Sequence, residues 1–589
     1  MKRILSIVVV IVLTLFLFVG CGDVKDTTST DTNSQVGDEF SVSIEDVTFV
    51  DANGESKYRI IRSENAASEI TDCTVYLFKQ IKLKLGISVK NLSDIEDGTD
   101  DYEILVGDTN RPESKKALDY LKTKTEGRYD DYIICSVGKK IVINGFNSAS
   151  INKACKYFIE NIFKTDGVKG GIEYLYATKG DFETITINGV NISEFVFVKP
   201  QYNTSYLTQS ELDELQETLY KTTGYKLSIE RDNDINSEYE IIIGNSKRDN
   251  VETVFDSDKF KILVNGKKVY LNGGSPHATA MAVSEFGKIL TGDLTDRSVV
   301  GSYNHSINAY DLATTLYYVW GDDFSRAELD TEKWVQRDEN TKSQGLNGKI
   351  SVRSSNPQDV FISDGKFYIC AREDEDYYYG GLITTMNKMC FRYGYAECSA
   401  VVPHGEGFWV AFWGTNAGLM SDRSDPLIPP LYTPEFDIME MFGNSTYYAA
   451  NLHANPTEYG KSSGLSHYSL DVPEYINAKK YFCPDGNTLN SDFHTYGVLW
   501  SDDNIGFTCD GVMYFNYDLS ENKYNEDCFK RHINLVFSMA TGFFNAPGSS
   551  ITSNKNEWKD SNKLIGDYIN LYQYNDGKCS LILGSTVNR

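Results

Sequence analysis

Two periodicities of apolar residues divide the chain near residue 313. Before that point, segments with apolar residues every three or four positions alternate with short β-rich runs. Examples are "ITDCTVYLFKQIKLKLG" from Ile70 and "QSELDELQETLYKTTG" from Gln209. This alternation predicts α/β modules, each with one sheet and two helices. Over residues 313–589, short runs rich in Tyr, Phe, Val and Ile lie between Gly, Asn, Asp and Pro turns, which predicts an all-β jelly-roll sandwich.

The α/β part of the chain repeats itself. The stretch "YEILVGDTNRPES" from Tyr102 has a partner in "YEIIIGNSKRDN" from Tyr239, and "GKKIVINGFNSAS" has a partner in "GKKVYLNGGSPHA". The partners lie roughly 130 residues apart, which is the size of a domain rather than of a solenoid repeat. We therefore predict two repeated modules, over residues 41–180 and 181–312. Neither copy holds a group of His, acid or Ser residues that suggests catalysis.

The first 40 residues predict export and tethering. The basic start "MKR" precedes the apolar run "ILSIVVVIVLTLFLFVG", which ends immediately before Cys21. This pattern indicates a secretory signal, and its length leaves an uncleaved membrane anchor as the alternative. The sequence "LFVGCG" resembles a bacterial lipoprotein signal, which implies that Cys21 is lipidated and holds the protein at the outer face of the cell membrane. Residues 22–40 are polar and acidic and predict a flexible linker.

The charge and the cysteine content of the chain argue against several kinds of binding partner and cofactor. A net charge of -26 over 589 residues argues against nucleic acid and against anionic membrane surfaces. Ten cysteines follow Cys21, and none is arranged as C-x-x-C or paired with a nearby His in a metal-binding motif, so no metal or redox cluster is predicted. Most of them lie in apolar runs, which predicts buried thiols, while export leaves disulfides as the alternative.

One apolar run carries three acids. The stretch "PEFDIMEMFG" contains Glu435, Asp437 and Glu440. Side chains alternate between the faces of a strand, so the first two acids share a face and strict alternation turns the third away. A one-residue β-bulge at Ile438 or Met439 would return the third acid to that face. Three carboxylates on one face repel one another and raise at least one pKa, which costs stability and suits acid–base chemistry.

A second run, "GFWVAFW", is apolar on both faces of the strand that it predicts. Trp409 and Trp413 share one of these faces. Taken alone, both are candidates for the core, because Trp is usually buried. Beside a row of acids, the favoured interpretation is that they stack on sugar rings.

These motifs together resemble glycoside hydrolase family 16. The three acids fit its bulged E-x-D-x-x-E motif, and "GFWVAFW" resembles its G-x-W-P-A-F-W. The stretches "DDFSRAELDTEKW", "DGKFYICA", "NLHAN", "DFHTYGVLW" and "GDYINLYQY" match further family strands in the family's order. The resemblance therefore covers nearly all of residues 313–589. Val410 replaces the usual Pro, Ser399 stands where Arg is frequent, and "FSMATGF" lacks the Asn and second Gly of N-L-A-V-G-G.

The resemblance implies a concave cleft and a retaining mechanism. Glu435 would be the nucleophile, and Glu440 would be the general acid and then the general base. Asp437 would tune their charge and hold the nucleophile in place. His453 of "NLHAN" would lie beside the acids, whereas His494 of "DFHTY" is interpreted as structural. Trp409 and Trp413 remain the candidates for substrate binding.

The resemblance also implies a polysaccharide substrate. It favours β-1,3-glucan or mixed β-1,3/1,4-glucan, with galactans such as agarose and carrageenan, and transglycosylation, as alternatives within the family. A glycan-binding surface lipoprotein without activity is the alternative from another class. No cofactor is required for the chemistry, but a structural Ca²⁺ with Asp567 as a ligand is compatible with the family. The residues 377–379 would either rim the cleft or form a turn, and residues 414–434 would shape one wall.

The two repeated modules resemble an accessory domain that precedes the catalytic domain in some glycoside hydrolases. The resemblance rests on short pieces such as "YEILVGDTNRPES". It implies a spacer or a carbohydrate-recognition role for both modules.

Overall fold

The structure is a computed structural model that falls into two compact units. The first contains the described residues up to 126 and those of 132–176, and the second contains residues 127–131 and the described residues from 177 onward. The described residues are 49–51, 53–95, 102–164, 171–248, 257, 259–292, 298–299, 302–306, 316–344, 349–403, 407–415, 432–442, 446–456, 468–469, 480–483, 487–519, 529–542 and 563–584. The predicted signal, Cys21 and the predicted linker lie outside them. Within the described residues, no helix has both the length and the apolar character needed to cross a membrane.

The first unit is an α/β module built on a six-stranded sheet. Its strands have the order β2-β1-β3-β5-β4-β6. Its elements are β1 (Arg59–Arg62), α1 (Ser68–Leu85), β2 (Lys90–Ser93), β3 (Glu103–Val106), α2 (Pro112–Lys124), β4 (Tyr132–Val137), β5 (Lys140–Gly145), α3 (Ser148–Tyr157), which continues as a π-helical turn (Phe158–Ile162), and β6 (Glu173–Tyr176).

The prediction of two helices for this module is wrong, because α2 is a third one. Helices α1 and α3 pack on one face of the sheet in one apolar cluster, and α2 covers the other face through Ala117 and Leu121. Only two apolar side chains of α2, Ala117 and Leu121, are buried, so the apolar periodicity that would predict this helix is weak. Pro112 in the first helical turn, where the missing N–H costs nothing, is the clearer mark of its start.

The second unit begins with a module of the same topology. Its main sheet has the order β10-β9-β11-β13-β12-β15, which repeats the order of the first module position by position. Its elements are β7 (Thr186–Ile187), β8 (Val190–Asn191), a 3₁₀ turn (Ile192–Glu194), β9 (Val196–Lys199), α4 (Tyr206–Thr223), β10 (Ile229–Arg231), β11 (Glu240–Ile243), β12 (Lys259–Asn265), β13 (Lys268–Gly273), α5 (Pro276–Thr291), β14 (Ser298–Val299) and β15 (Ser302–Ser306).

Both modules bury the same charged group. In the first, Glu103 is fully buried and pairs with Arg111 and with Lys140, whose Nζ lies 3.3 Å from Glu103 Oε2. In the second, Glu240 is fully buried, and its Oε2 lies 2.6 Å from Lys268 Nζ. Each pair occupies equivalent positions of the repeated stretches. A buried carboxylate needs such partners, so the repeated sequence stretches supply the same internal ion pair in both modules.

The remaining residues form a sandwich of two large sheets, as predicted for the jelly roll. Its elements are β16 (Leu316–Asp322), β17 (Val335–Gln336), β18 (Glu339–Gln344), β19 (Ile350–Ser354), β20 (Val360–Ser363), β21 (Lys366–Cys370), β22 (Arg372–Glu373), β23 (Tyr377–Thr384), β24 (Met389–Arg392), β25 (Gly394–Val401), β26 (Phe408–Thr415), β27 (Tyr432–Phe442), β28 (Tyr447–Pro456), β29 (Tyr468–Ser469), β30 (Lys480–Phe482), β31 (His494–Trp500), β32 (Asn504–Cys509), β33 (Val512–Asp518), β34 (Asn534–Thr541), β35 (Lys563–Tyr574) and β36 (Ser580–Leu583).

The two sheets enclose one apolar core. The sheet with the order β18-β19-β23-β34-β26-β27-β28-β29, to which β17, β22 and β30 also belong, carries the three acids, and we call it the front sheet. The sheet with the order β20-β21-β35-β25-β31-β32-β33, with β16 on β35, is the back sheet. Trp334, Trp500 and Phe537 are fully buried between them. The core thus holds the front sheet in place from behind.

The second module packs against the back sheet of the sandwich. The backbone N–H of Tyr206, in the first turn of α4, donates to Glu397 Oε2 at 3.0 Å, and that of Asn203 donates to Asp510 Oδ1 at 2.8 Å. Leu207 and Ala280 of the module share an apolar cluster with residues of the sandwich. A carboxylate at a helix N-terminus is favourable, because it meets unpaired N–H groups and the positive end of the helix dipole. The module and the sandwich therefore belong to the same compact unit.

Candidate active site

The bulge expected in the acid-bearing strand is present. Strand β26 pairs Phe412 with Met439 and Trp413 with Asp437, so Ile438 is the extra residue on β27. The register of β27 against β28 shifts at the same place. A bulge returns the residues beyond it to the face from which alternation would have turned them. The prediction of a bulge at residue 438 or 439 is thus confirmed.

The strand pairing places the three acids on one face. Glu435 lies opposite His453 of β28, and Asp437 lies opposite Asn451. Glu440 follows beyond the bulge, opposite alanines on both neighbouring strands. Directly opposed residues of an antiparallel pair project on the same side of the sheet. The structure therefore brings the predicted acids and His453 together, and a ligand atom from each of Glu435, Asp437 and His453 lies within 4.8 Å of the other two.

Glu440 is the acid whose protonation the site alters most clearly. Burial raises the pKa of its carboxyl, and the negative charges of Asp437 and Glu435 raise it further. A hydrogen bond from Trp409 and the positive charge of His453 act in the opposite direction, and the resulting pKa is about 8. Neighbouring charge was the expected cause, but burial is the larger one. Glu440 is therefore mostly protonated at neutral pH and able to donate a proton.

His453 balances the charge of this row. Its Nε2 lies 3.0 Å from Asp437 Oδ2. Burial by itself would lower the pKa of the imidazole, but the contact with Asp437 and the charges of Glu435 and Glu440 outweigh it and raise the pKa. The positive charge of a protonated His453 also offsets part of the effect of the neighbouring acids on Glu440.

The two tryptophans flank the acids with half-buried side chains. Trp409 donates from Nε1 to Glu440 Oε1 at 2.8 Å, and the Arg353 guanidinium lies 5.7 Å from the centre of its ring. Trp413 donates from Nε1 to Ser538 Oγ at 3.1 Å. Trp409 is thus more than a stacking surface, because it also orients the carboxyl of Glu440.

Arg353 and Ser538 did not emerge from the sequence. They lie on β19 and β34, more than 80 residues from the acids along the chain, and only the sheet order brings them near. Ser538 belongs to "FSMATGF", the stretch that departs from the family pattern, and that departure was the available signal. Of residues 377–379, Tyr378 is buried, and all three lie in β23. Most of the insertion at 414–434 lies outside the described residues.

The expected calcium ligand has a different partner. Asp567 lies on β35, and its Oδ1 is 3.0 Å from Lys366 Nζ. Ca²⁺ takes six to eight oxygen ligands, and an ammonium group in contact with the carboxylate opposes a cation there. Within the described part of the chain, no group of potential ligands includes Asp567. The structure pairs this carboxylate with an ammonium group, and the calcium site stays a prediction.

Comparison with known proteins matches part of the chain to one family. Residues 333–559 match the family model described as "Glycosyl hydrolases family 16". The glucan endo-1,3-beta-glucosidase A1 of Niallia circulans is 26% identical over 260 residues, which are 41% of this chain and 33% of that protein. The beta-1,3-glucan-binding protein of Penaeus monodon is 26% identical over 181 residues, which are 30% of this chain and 43% of that protein.

A solved structure is also similar to part of the chain. The laminarinase from Flavobacterium sp. UMI-01 is 22% identical, and the alignment covers 44% of this chain and 100% of that one with a TM-score of 0.34. The match to each of the two curated relatives spans less than half of that relative's length.

Proposed function

Residues 333–559 are a family 16 glycosyl hydrolase domain, and we propose from this premise that the protein is a retaining, endo-acting β-glycan hydrolase. The observation that carries the proposal is Glu440, a buried carboxyl with a pKa of about 8 on the same sheet face as two further acids. An acid that stays protonated at neutral pH beside acids on the same face is the arrangement that glycoside hydrolysis needs.

The proposed reaction has two displacements. In the first, Glu440 donates its proton to the glycosidic oxygen while Glu435 attacks the anomeric carbon, so that the leaving sugar departs as an alcohol and a glycosyl ester forms on Glu435. In the second, the Glu440 carboxylate removes a proton from water, which attacks the same carbon and releases Glu435. Retention requires the two carboxyl groups to be about 5–5.5 Å apart, which leaves no room for an inverting water.

Asp437 and His453 serve the cycle without being consumed. The negative charge of Asp437 helps keep the proton on Glu440 before the first step. Its contact with His453 at 3.0 Å fixes its carboxylate between the two glutamates. Trp409 holds the Glu440 carboxyl through its indole N–H. These contacts position the reacting groups before the substrate arrives.

A β-1,3-glucan or a mixed β-1,3/1,4-glucan is the substrate that we propose. The bulged acid motif resembles the laminarinase-like branch of the family, and the Niallia circulans relative is named as a glucan endo-1,3-beta-glucosidase. Agarose and carrageenan remain alternatives, because galactan hydrolases share the bulged motif. Transglycosylation uses the same residues and differs in whether a sugar or water resolves the ester.

The test is product release by the purified full chain from laminarin, mixed-linkage β-glucan, agarose and carrageenan. We expect oligosaccharides from one of the glucans and none with Glu435→Gln. Glu328→Gln, which removes an exposed carboxylate of the sandwich, is the matched control and should retain wild-type turnover. Wild-type turnover by Glu435→Gln would overturn the assignment of the nucleophile.

Azide tests the retaining mechanism separately. With Glu440→Ala and an aryl β-glycoside whose leaving group needs no proton, azide should attack the ester on Glu435 and give the β-glycosyl azide. With Glu435→Ala, azide should enter the vacated space and give the α-anomer. If neither variant yields a glycosyl azide, or the anomers are reversed, the two roles are wrong.

A non-catalytic glycan receptor is the second candidate. The similarity to a beta-1,3-glucan-binding protein supports it. Three neighbouring acids argue against it, because a surface that only binds sugars gains nothing from their mutual repulsion. Wild-type protein that binds laminarin but releases no product from any polymer would favour this candidate.

We further propose that lipid on Cys21 anchors the protein at the outer face of a bacterial cell membrane. The support is the charged start, the apolar run and the small residue before Cys21. Mass spectrometry of the N-terminal peptide should find Cys21 first and acylated. Release of Cys21→Ser into the medium is expected, and an unprocessed N-terminus would contradict the anchor.

A further inference from the structure

A second pair of His and Asp lies in the sandwich, away from the acid row. His494 begins β31, and Asp510 follows β32 in a two-residue turn to β33. Asp510 and Gly511 both have positive φ angles, of 47° and 83°. This is the backbone of a tight hairpin turn, in which Asp-Gly is a favoured sequence. The turn brings Asp510 Oδ2 to 2.7 Å from His494 Nδ1.

A thiol completes this group. Cys509 ends β32 and lies opposite Tyr496 of β31. One ligand atom from each of His494, Cys509 and Asp510 lies within 4.8 Å of the other two. His494 and Cys509 are fully buried, and Asp510 is 6% exposed. The three side chains thus form a closed cluster of one imidazole, one thiol and one carboxylate.

Two further observations point into this cluster. His494 Nε2 is buried and has no hydrogen-bond partner among the described residues. The thiol of Cys483, which follows β30, also interacts with the His494 ring. A buried polar atom without a partner costs free energy, so such atoms call for an explanation. A cation on Nε2 would supply one, with Asp510 on Nδ1 holding the ring from the other side.

We propose that His494 and the thiols of Cys509 and Cys483 bind a divalent transition metal, that Asp510 orients the His494 ring through Nδ1, and that zinc is the best match. Imidazole nitrogen and thiolate sulfur are ligands that zinc takes in structural sites, and a carboxylate on the other ring nitrogen commonly orients such a His. Binding would release the proton of each coordinating thiol, because the thiolate is the ligand. The burial of the cluster leaves no position open to a substrate, so the role is structural.

The position of the cluster explains what the metal would do. Cys483 follows β30 of the front sheet, and its backbone N–H donates to Thr446 O at 3.0 Å. His494 and Cys509 belong to the back sheet. Asp510 in turn accepts the backbone N–H of Asn203 from the second module. One ion at this point would join both sheets and the docked module.

The first test is the metal content of the full chain, purified without a chelating column and measured by mass spectrometry of the elements. We expect about one zinc per chain, lost in Cys509→Ala. Cys390→Ala removes another buried thiol of the sandwich and should keep the metal. Less than a tenth of an equivalent of any transition metal in wild type after incubation with zinc would overturn the proposal.

A second measurement does not depend on the folding of a variant. Cobalt(II) added to metal-free wild type should produce the charge-transfer absorption of a thiolate ligand, saturating at one equivalent and reversed by zinc. In the folded protein, Cys483 and Cys509 should resist alkylation until a chelator is added, and thiol counting after denaturation should find both reduced. A disulfide between them, or no cobalt–thiolate band, would overturn the site. Neither readout involves glycan hydrolysis.

Discussion

The described residues of the sandwich include two His–Asp pairs with similar distances and different surroundings. On the front sheet, His453 Nε2 lies 3.0 Å from Asp437 Oδ2, and the neighbours are two glutamates and a tryptophan. In the back sheet, where β31 begins, His494 Nδ1 lies 2.7 Å from Asp510 Oδ2, and the neighbours are thiols and backbone N–H groups.

The comparison indicates that the residues around a His–Asp pair, rather than the pair itself, determine its role in the protein. The side chain of His453 is 18% exposed and that of His494 is fully buried. Asp437 lies among like charges, which costs stability and raises the pKa of Glu440. Asp510 lies among donors, since the N–H groups of Asn203 and Thr495 both point at its Oδ1. We expect the first pair to control chemistry and the second to control stability.

The largest expected effect comes from Glu440, the acid that the front pair tunes. Glu440→Gln cannot donate a proton, so kcat/KM on unmodified glucan should fall by about 10²–10⁴-fold. An aryl glycoside with a good leaving group should lose much less in its first step. Initial rates on both substrates measure this, with Glu328→Gln as the control. A loss of less than threefold on glucan would remove Glu440 from the mechanism.

Asp510→Asn should give the next largest effect, on stability. Removing the charge of a buried, hydrogen-bonded partner costs about 3 kcal/mol. Urea unfolding followed by tryptophan fluorescence isolates the sandwich, because all six Trp residues lie beyond residue 319. Below the transition, kcat/KM should match wild type. An unchanged urea midpoint, or lost activity in fully folded protein, would contradict the claim that this pair controls stability and not catalysis.

Asp437→Asn should have the opposite pattern to Asp510→Asn, with lower activity and no loss of stability. Activity requires a protonated Glu440, so wild-type kcat/KM should fall as pH rises through about 8. Removing the charge of Asp437 lowers the pKa of Glu440 and should move this decline to lower pH, with a rate loss of about tenfold to a hundredfold. Urea stability should be unchanged or higher, because a repulsion is relieved. A decline that stays in place would show that Asp437 does not tune the acid.

His453→Gln should give the smallest effect and shift the profile the other way. The positive charge of His453 lowers the pKa of Glu440, so its removal should move the alkaline decline to higher pH. The rate near neutral pH should fall less than about tenfold, since both catalytic carboxyl groups remain. The kcat/KM profile from pH 5 to 10 measures this. Shifts of the same sign for Asp437→Asn and His453→Gln would contradict the charge balance.

Much of the front site could be predicted from the sequence. The apolar residues around Glu435, Asp437 and Glu440 indicated a strand. The spacing of the third acid, which breaks the alternation, indicated a bulge, and the structure has it at Ile438. Local patterns were enough because one strand carries all three acids. A raised pKa within the row of acids was predicted, but the main cause of the shift at Glu440 is burial, which depends on the whole sandwich.

The back cluster was missed for a physical reason. Cys483 and Cys509 lie 11 and 15 residues from His494 along the chain, and the thiols were therefore interpreted as separate core residues. Hairpin pairing of β31 and β32 joins positions 494 and 509 across 15 residues of sequence. Only the packing of the two sheets adds Cys483. The docking of the second module on Glu397 was likewise invisible, because no local pattern marks a buried acid as an acceptor for a helix from another domain.

The most direct test of the central claim is to trap the glycosyl ester on Glu435. Glu440→Gln, mixed with an aryl β-glycoside of laminaribiose, should form the ester and hydrolyse it slowly, because the base of the second step is missing. Intact-mass spectrometry should show one added glycosyl unit, mapped to the peptide that contains Glu435 and absent from the Glu435→Gln/Glu440→Gln double variant. A glycosyl unit on another residue, or a reaction that proceeds with no covalent adduct, would contradict the account.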